Sequence, residues 1–172
     1  SHKKSKKKNQ KKIMSFKPVI LIYDLNNLLV DQIAAAIGAT GLYTSINTYN
    51  EANAVDAVKQ YNRCFGVFTN KLSCIITGWN THKSRRDQFL FKLRATERRS
   101  PFRRPTPVIV ITEDHLPELK KLALNPDQGN ASAYLHADDF KNLLADILHK
   151  VVYEGMAEDL NLEAFQALAE TD

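Results

Sequence analysis

Short apolar runs alternate with amphipathic stretches along most of the chain. Five of the runs are rich in β-branched or aromatic residues and end at turn residues, which predicts strands. The stretches that follow them carry apolar residues at helical spacing, which predicts five helices. The predicted strands are Pro18–Asp24, Leu42–Tyr49, Leu72–Thr77, Pro107–Thr112 and Ala131–His136. The predicted helices are Asn26–Ile37, Glu51–Asn62, His82–Arg98, Leu116–Leu124 and Phe140–Val151.

This alternation predicts an α/β fold with five parallel strands and helices on both faces of the sheet. Short connections and right-handed crossovers favour a doubly wound, flavodoxin-like strand order. In such sheets ligands bind at the carboxyl ends of the strands, so the loops at that edge are the candidate site. A further acidic, amphipathic helix is predicted at Met156–Leu168. It could pack against the domain, pair with a second chain or lead into an output domain.

Charge divides the chain into three parts. The whole chain carries a net charge of +5, but residues 1–17 hold eight lysines and no acid, so the remainder stands at −3. From Tyr153 onward there are six acids and no Lys or Arg. We therefore predict a disordered basic leader at 1–16, one folded domain at 17–152 and an acidic helix or linker at 153–172. No run is apolar enough to cross a membrane. Two cysteines without metal-ligand spacing favour a cytoplasmic setting.

Four segments make the chain resemble the receiver domain of two-component response regulators, over about Lys17 to Val152. In chain order they are Trp79-Asn80 after the third strand, FLFKLRATE, TPVIVITED with the fourth strand, and ASAYLH before the last helix. The resemblance implies a flavodoxin-like fold and a defined chemistry. In receivers an aspartate at the end of the third strand accepts a phosphoryl group, and acids after the first strand hold Mg²⁺. A lysine at the end of the fifth strand pairs with the phosphoryl oxygens.

Most of these reacting groups are missing from this chain. The phosphoacceptor position is Gly78, which offers no carboxylate. The acid pair after the first strand is reduced to Tyr23-Asp24, and the lysine position falls at Ala137, or at His136 with a slip of one residue. The resemblance therefore implies a pseudo-receiver. A simpler interpretation of Gly78 alone is that it permits a turn with positive φ.

Three residues of the receiver pattern remain. Asp24 could pair with a nearby Lys or Arg, while Thr112 and Tyr134 match the threonine and aromatic residue that act as a switch in receivers. A single carboxylate should bind Mg²⁺ weakly if at all. We therefore expect no resident metal, no cofactor and no enzymatic activity.

A basic segment runs from Lys83 to Arg104, with nine basic residues and two acids. It could be a solvated helix face followed by a flexible loop. It could also be a docking surface for an acidic partner, a phosphorylated ligand or nucleic acid. The candidate docking residues are Arg85, Arg86, Arg94, Arg98, Arg99, Arg103 and Arg104.

The leading functional hypothesis is a non-phosphorylatable, receiver-like signalling module that acts through protein–protein interaction in two-component-type signal transduction. Receivers commonly pair through the fourth helix, fifth strand and fifth helix. A homodimer could therefore use Leu116, Leu119, Tyr134 and the outer side of Phe140–Leu148.

Two alternatives remain open. The first is nucleic-acid or phospholigand binding through the basic leader and the basic segment. The second is an unusual enzyme built from Asp24, His82 and His136, although their spacing matches no known catalytic set.

Overall fold

The computed structural model describes residues 17–62, 71–81, 83–99 and 104–170. The strands are β1 Val19–Tyr23, β2 Thr44–Thr48, β3 Leu72–Thr77, β4 Val108–Thr112 and β5 Ala133–His136. The helices are α1 Asn27–Thr40, α2 Glu51–Asn62, α3 Gln88–Arg98, α4 Pro117–Leu124 and α5 Phe140–Glu170. The basic leader, His82 and Arg103 lie outside the described residues, so the predictions made for them stay predictions.

The five strands form one parallel sheet in the order β2-β1-β3-β4-β5. This order confirms the predicted doubly wound, flavodoxin-like architecture. Tyr23 at the end of β1 is in register with Thr77 of β3, and Thr112 of β4 is in register with His136 of β5. The loops after these four strands therefore meet at the carboxyl edge of the sheet.

Alternate residues of each strand supply two hydrophobic layers, as the period of two along a strand requires. Ile20 and Ile22 of β1 face a layer covered by α1 and α5, whereas Leu21 and Tyr23 face a layer covered by α2, α3 and α4. Cys74 lies fully buried and free in the first layer, and burial raises the pKa of its thiol to about 12. It therefore acts as a small hydrophobic residue, as the sequence predicts.

Two helices begin or end elsewhere than predicted. The first helix was expected to stop at Gly38, but α1 continues to Thr40 and ends where Gly41 adopts a left-handed φ of 68°. The third helix was expected from His82, but α3 begins only at Gln88. Residues 83–87 form a loop before it, and this loop contributes to the site described below.

The fifth helix is continuous over 31 residues, which corrects the prediction of a separate helix at Met156–Leu168. The helix passes through Gly155, where Arg104 packs so closely that a Cβ atom would lie 2.7 Å from its Nη2. Arg104 also lies 3.6 Å from a carboxylate oxygen of Glu158, one turn further on. The acidic tail and the folded domain thus share one helix. Within the described residues, no helix combines the length and the apolar character that a membrane crossing needs.

Candidate functional site

Gly78 follows β3 at the carboxyl edge, directly against the side chain of Asp24. Its N–H donates to the carbonyl of Tyr23 at 2.9 Å. A Cβ atom on Gly78 would lie 2.8 Å from Cγ of Asp24, closer than real Cβ contacts come. The interpretation that Gly78 permits a turn with positive φ is wrong, because its φ is not positive; among the described glycines, Gly41 is the one with a positive φ. The close approach of the Asp24 carboxylate is what excludes a side chain here.

Asp24 forms an ion pair with Arg86, which lies 62 residues further along the chain. Nη1 of Arg86 donates to Oδ1 of Asp24 at 2.6 Å, and the backbone N–H of Asn26 donates to the same oxygen at 3.0 Å. The side chains of Arg86 and Asp24 are only 14% and 3% exposed. Burial raises the pKa of Asp24 above the usual carboxyl range, while the Asn26 N–H and the charge of Arg86 oppose that rise. The prediction that Asp24 pairs with a basic residue is confirmed.

Asn80 organises the loop that delivers Arg86. Its Oδ1 accepts hydrogen bonds from the backbone N–H groups of Arg86 at 2.6 Å and Asp87 at 3.0 Å. Its Nδ2 donates to Oδ2 of Asp87 at 2.9 Å. These three hydrogen bonds hold the residues before α3 in a loop, where the sequence predicted a helical turn. As a result, Arg86 reaches back across the end of β3 to Asp24.

Trp79 connects the same loop to the neighbouring helix. The side chain is fully buried, and its Nε1 donates to the carbonyl of Leu119 in α4 at 2.9 Å. Its ring meets Phe91 edge to face, with centroids 5.7 Å apart. The Trp79-Asn80 pair thus has a local structural role that sequence reasoning missed. In the sequence, the signal for this role was that a large aromatic residue and an amide residue follow each other at the end of a predicted strand.

The residues at this edge do not fit the Mg²⁺ ion that the receiver resemblance implies. A magnesium site needs several oxygen ligands around one position. Here Gly78 contributes no side chain, Tyr23 packs edge to face on Phe89 with centroids 5.2 Å apart, and Asp24 already neutralises a guanidinium. A cation would have to displace Arg86 to reach the carboxylate.

The two residues that match the receiver switch, Thr112 and Tyr134, lie on the adjacent strands β4 and β5. Thr112 is buried, and Tyr134 is in register with Val110, two residues before Thr112. The Tyr134 hydroxyl is buried and makes no hydrogen bond of good geometry with the described residues, although Thr112 is close enough to lower its pKa. Burial has the larger effect and raises the pKa of Tyr134.

The lysine position of receivers carries no lysine here. Ala137 donates its backbone N–H to the carbonyl of Thr112 at 2.7 Å, and its methyl group packs against the first hydrophobic layer. The preceding residue, His136, ends β5 and stacks its ring on that of His115. Neither residue supplies the permanent positive charge of a lysine.

Arg94 is buried, so its assignment to a docking surface is wrong. Its side chain is 5% exposed and forms an ion pair with Glu97 at 2.8 Å. It also donates to the carbonyls of Thr106, Gly129 and Asn130 at 2.9, 3.0 and 3.2 Å. Burial lowers the pKa of Arg94, and the charge of Glu97 opposes that change. The guanidinium therefore joins α3 to the loops before β4 and β5.

The other arginines of the basic segment divide into two groups. Arg86 and Arg104 turn toward the protein, with side chains 14% and 18% exposed. Arg85, Arg98 and Arg99 are exposed, although Arg85 pairs with Asp87 at 3.0 Å. The structure therefore brings Arg86 to the candidate site and does not gather the predicted arginines into one continuous basic surface among the described residues.

Comparison with known proteins identifies the fold. No family model matches the chain, and no curated protein matches it in sequence. Its structure is similar to the signal receiver domain of an HD domain-containing protein from Pseudomonas fluorescens Pf-5, with 16% identity, a TM-score of 0.64, and coverage of 84% of this chain and 93% of that one. A CheY-like response regulator receiver domain protein from Methanospirillum hungatei JF-1 shares 15% identity at a TM-score of 0.60, covering 83% and 98%.

A response regulator receiver domain protein from Clostridium thermocellum shares 16% identity at a TM-score of 0.59, with coverage of 81% of this chain and 98% of that one. Structural similarity to receiver domains at 15–16% sequence identity establishes the flavodoxin-like receiver fold. What the chain does has to be argued from its own site residues.

Proposed function

We propose that the chain is a receiver-like signalling module that does not accept a phosphoryl group and acts by binding another protein. The observation that carries this proposal is the ion pair between Asp24 and Arg86, packed against Gly78. This pair lies at the edge of the sheet where phosphotransfer takes place in receivers.

Phosphotransfer to a receiver requires a carboxylate nucleophile, and Gly78 has none. It also requires positive charge to neutralise the incoming phosphoryl oxygens. In this chain the arginine that could supply that charge is committed to Asp24, and the two groups neutralise each other. The site therefore offers a phosphodonor neither a carboxylate nucleophile nor a positive charge that is not already neutralised. Any signal must reach this domain as a differential binding energy between two conformations.

The surface proposed for protein binding is formed by α4, β5 and α5. Leu116, Leu122 and Leu143 expose 44%, 38% and 48% of their surface there, whereas Phe140 is fully buried. Exposed leucines on adjacent elements are compatible with pairing to a second copy of this chain. Thr112 and Tyr134 lie between this surface and the Asp24 site, so their packing could differ between free and bound states. The reducing cytoplasm is the proposed setting.

Treatment with acetyl phosphate and Mg²⁺, followed by intact-mass measurement, tests the proposal. We expect no gain of a phosphoryl group in the wild-type chain, while a receiver domain that retains its acceptor aspartate is labelled under the same conditions. Stoichiometric labelling of the wild-type chain would contradict the proposal.

Sedimentation of the wild type and of a Leu143→Glu variant tests the pairing surface, because a homodimer through α5 should dissociate in the variant.

A further inference from the structure

Two histidines and an aspartate come together in the loops after β4 and β5. His115, His136 and Asp138 each offer one ligand atom, and these atoms all lie within 4.8 Å of one another. We propose that this His-His-Asp cluster binds a divalent transition-metal ion such as Zn²⁺. The cluster is separate from the Asp24–Arg86 pair, and its three members differ from the acids that hold Mg²⁺ in receivers. From the sequence we expected no resident metal.

His136 provides the fixed part of the cluster. It is the last residue of β5 and its side chain is 14% exposed. Its Nδ1 accepts the backbone N–H of Asp138 at 3.1 Å, so the proton of the neutral ring lies on Nε2. Nε2 is buried without a hydrogen-bond partner among the described residues. Nδ1 carries the lone pair of the ring and faces Asp138, and a metal ion bound there replaces the hydrogen bond from the Asp138 backbone N–H, because one lone pair cannot serve both.

The contact between His136 and Asp138 places two electron-pair donors against each other. Nδ1 of His136 lies 3.3 Å from Oδ2 of Asp138. With the ring neutral at Nδ1, no proton lies between these two atoms, and their partial negative charges repel. A cation bound to both atoms replaces that repulsion with attraction, as in zinc sites that combine imidazole and carboxylate ligands.

His115 provides the adjustable part. It is exposed, and its ring stacks on that of His136 with centroids 3.6 Å apart and planes inclined by 8°. In a tetrahedral zinc site, bonds of about 2.0–2.2 Å place ligand atoms about 3.3–3.6 Å apart. The exposed side chains of His115 and Asp138 can close the remaining distance by rotation, which also turns the His115 ring out of the stack.

The donor set selects the class of metal. Two imidazole nitrogens and one carboxylate oxygen suit Zn²⁺, Ni²⁺ or Cu²⁺, whereas Mg²⁺ favours oxygen ligands in octahedral geometry. Three protein ligands leave a fourth position open to water or to a donor from a partner protein. A bound ion would join the β4–α4 loop to the β5–α5 loop, next to the pair formed by Thr112 and His136 in the sheet.

Zinc titration against a chromophoric chelator tests the proposal. We expect the wild-type chain to take up one Zn²⁺, and the affinity to fall by about tenfold or more in His115→Ala and in Asp138→Asn, because even outer-shell changes at metal sites cost about 10–100-fold. Both residues are exposed, so neither substitution should unfold the domain. His149→Ala is the matched control, since His149 is also exposed but packs against Tyr153 in α5.

Nitrogen NMR of the imidazole rings identifies the ligand atoms. We expect Zn²⁺ to shift Nδ1 of His136 and one nitrogen of His115, with His149 unchanged. Uptake that persists in both cluster variants, loss of uptake in His149→Ala, or zinc-dependent shifts confined to other histidines would overturn the proposal. So would the absence of any saturable zinc binding by the wild-type chain.

Discussion

Replacing Arg86 with methionine removes the guanidinium that neutralises Asp24 while keeping an unbranched side chain of similar length. Asp24 then remains in the core without a cationic partner, while the backbone N–H of Asn26 still donates to its Oδ1. The neighbouring Arg85→Met is the matched control, because Arg85 is 75% exposed and its partner Asp87 keeps the hydrogen bond from Nδ2 of Asn80 when Arg85 is replaced. We expect the first substitution to destabilise the fold clearly and the second to have little effect.

The size of the effect follows from the burial of the pair. Two unit charges about 4 Å apart attract by about 4 kcal/mol at an effective dielectric constant of about 20. Removing one partner of a buried ion pair typically costs about 3–5 kcal/mol. Because Arg86 retains 14% exposure, we expect the lower end, about 3 kcal/mol. Arg85 is 75% exposed, so water screens its attraction to Asp87, and we expect its replacement to cost no more than about 1 kcal/mol.

The cost should also depend on pH in a defined direction. Arg86 opposes the rise in the pKa of Asp24, so its removal raises that pKa further. The folded state then binds this proton more tightly than the unfolded chain does. Protonation of Asp24 consequently favours folding, so the cost of Arg86→Met is largest at neutral pH and shrinks as pH falls through the folded-state pKa of Asp24.

Urea unfolding of wild type, both single variants and the double variant Asp24→Asn/Arg86→Met measures these quantities. In the double variant no buried charge is left unpaired, so the double-mutant cycle should give a coupling energy of about 1–3 kcal/mol. If Arg86→Met costs no more than Arg85→Met, the Asp24–Arg86 pair does not stabilise the fold. The same conclusion follows if the cost stays constant between neutral and acidic pH, or if Asp24→Asn and Arg86→Met are additive.

Three further substitutions test the surroundings of the site by urea unfolding. Gly78→Ala should cost about 1–3 kcal/mol, because the new Cβ meets the Asp24 carboxylate; a neutral or stabilising result would show that Asp24 moves freely. Arg94→Met should cost about 3–5 kcal/mol, because it leaves the buried carboxylate of Glu97 without a cationic partner. A cost below about 1 kcal/mol, typical of an exposed ion pair, would contradict the burial of Arg94. Asn80→Ala should cost about 1–3 kcal/mol, since two backbone N–H groups lose their acceptor; unchanged amide chemical shifts at Arg86 in this variant would contradict the role given to Asn80.

The fold could be predicted because its determinants are local. The strands Leu72–Thr77 and Val108–Thr112 are continuous apolar runs, typical of parallel strands buried on both faces. Helix boundaries were harder to predict. Glycine tolerates both a helix interior and a left-handed φ, so local sequence did not distinguish Gly38 from Gly41 as the end of α1. Past Val152, α5 packs against Arg104 at Gly155, and local sequence does not reveal this long-range contact.

The site could be predicted only in part. The missing carboxylate at Gly78 is visible in the sequence, but the partner of Asp24 is not, because nine basic residues lie between Lys83 and Arg104. Selection of Arg86 depends on hydrogen bonds made by Asn80. Arg94 was assigned to a surface because it belongs to the basic segment Lys83–Arg104, and basic residues are mostly exposed. Its burial results from carbonyls contributed by two distant loops.

We propose that the guanidinium of Arg86 takes the place of a metal ion beside Asp24 at the carboxyl edge of the sheet. A Mg²⁺ titration followed through the amide resonances of Gly78 and Asp24 decides whether a metal ion reaches this carboxylate. We expect these resonances to show no saturable shift at millimolar Mg²⁺ in the wild-type chain. Saturable shifts of both residues that disappear in Asp24→Asn would show that Mg²⁺ binds Asp24 in spite of Arg86.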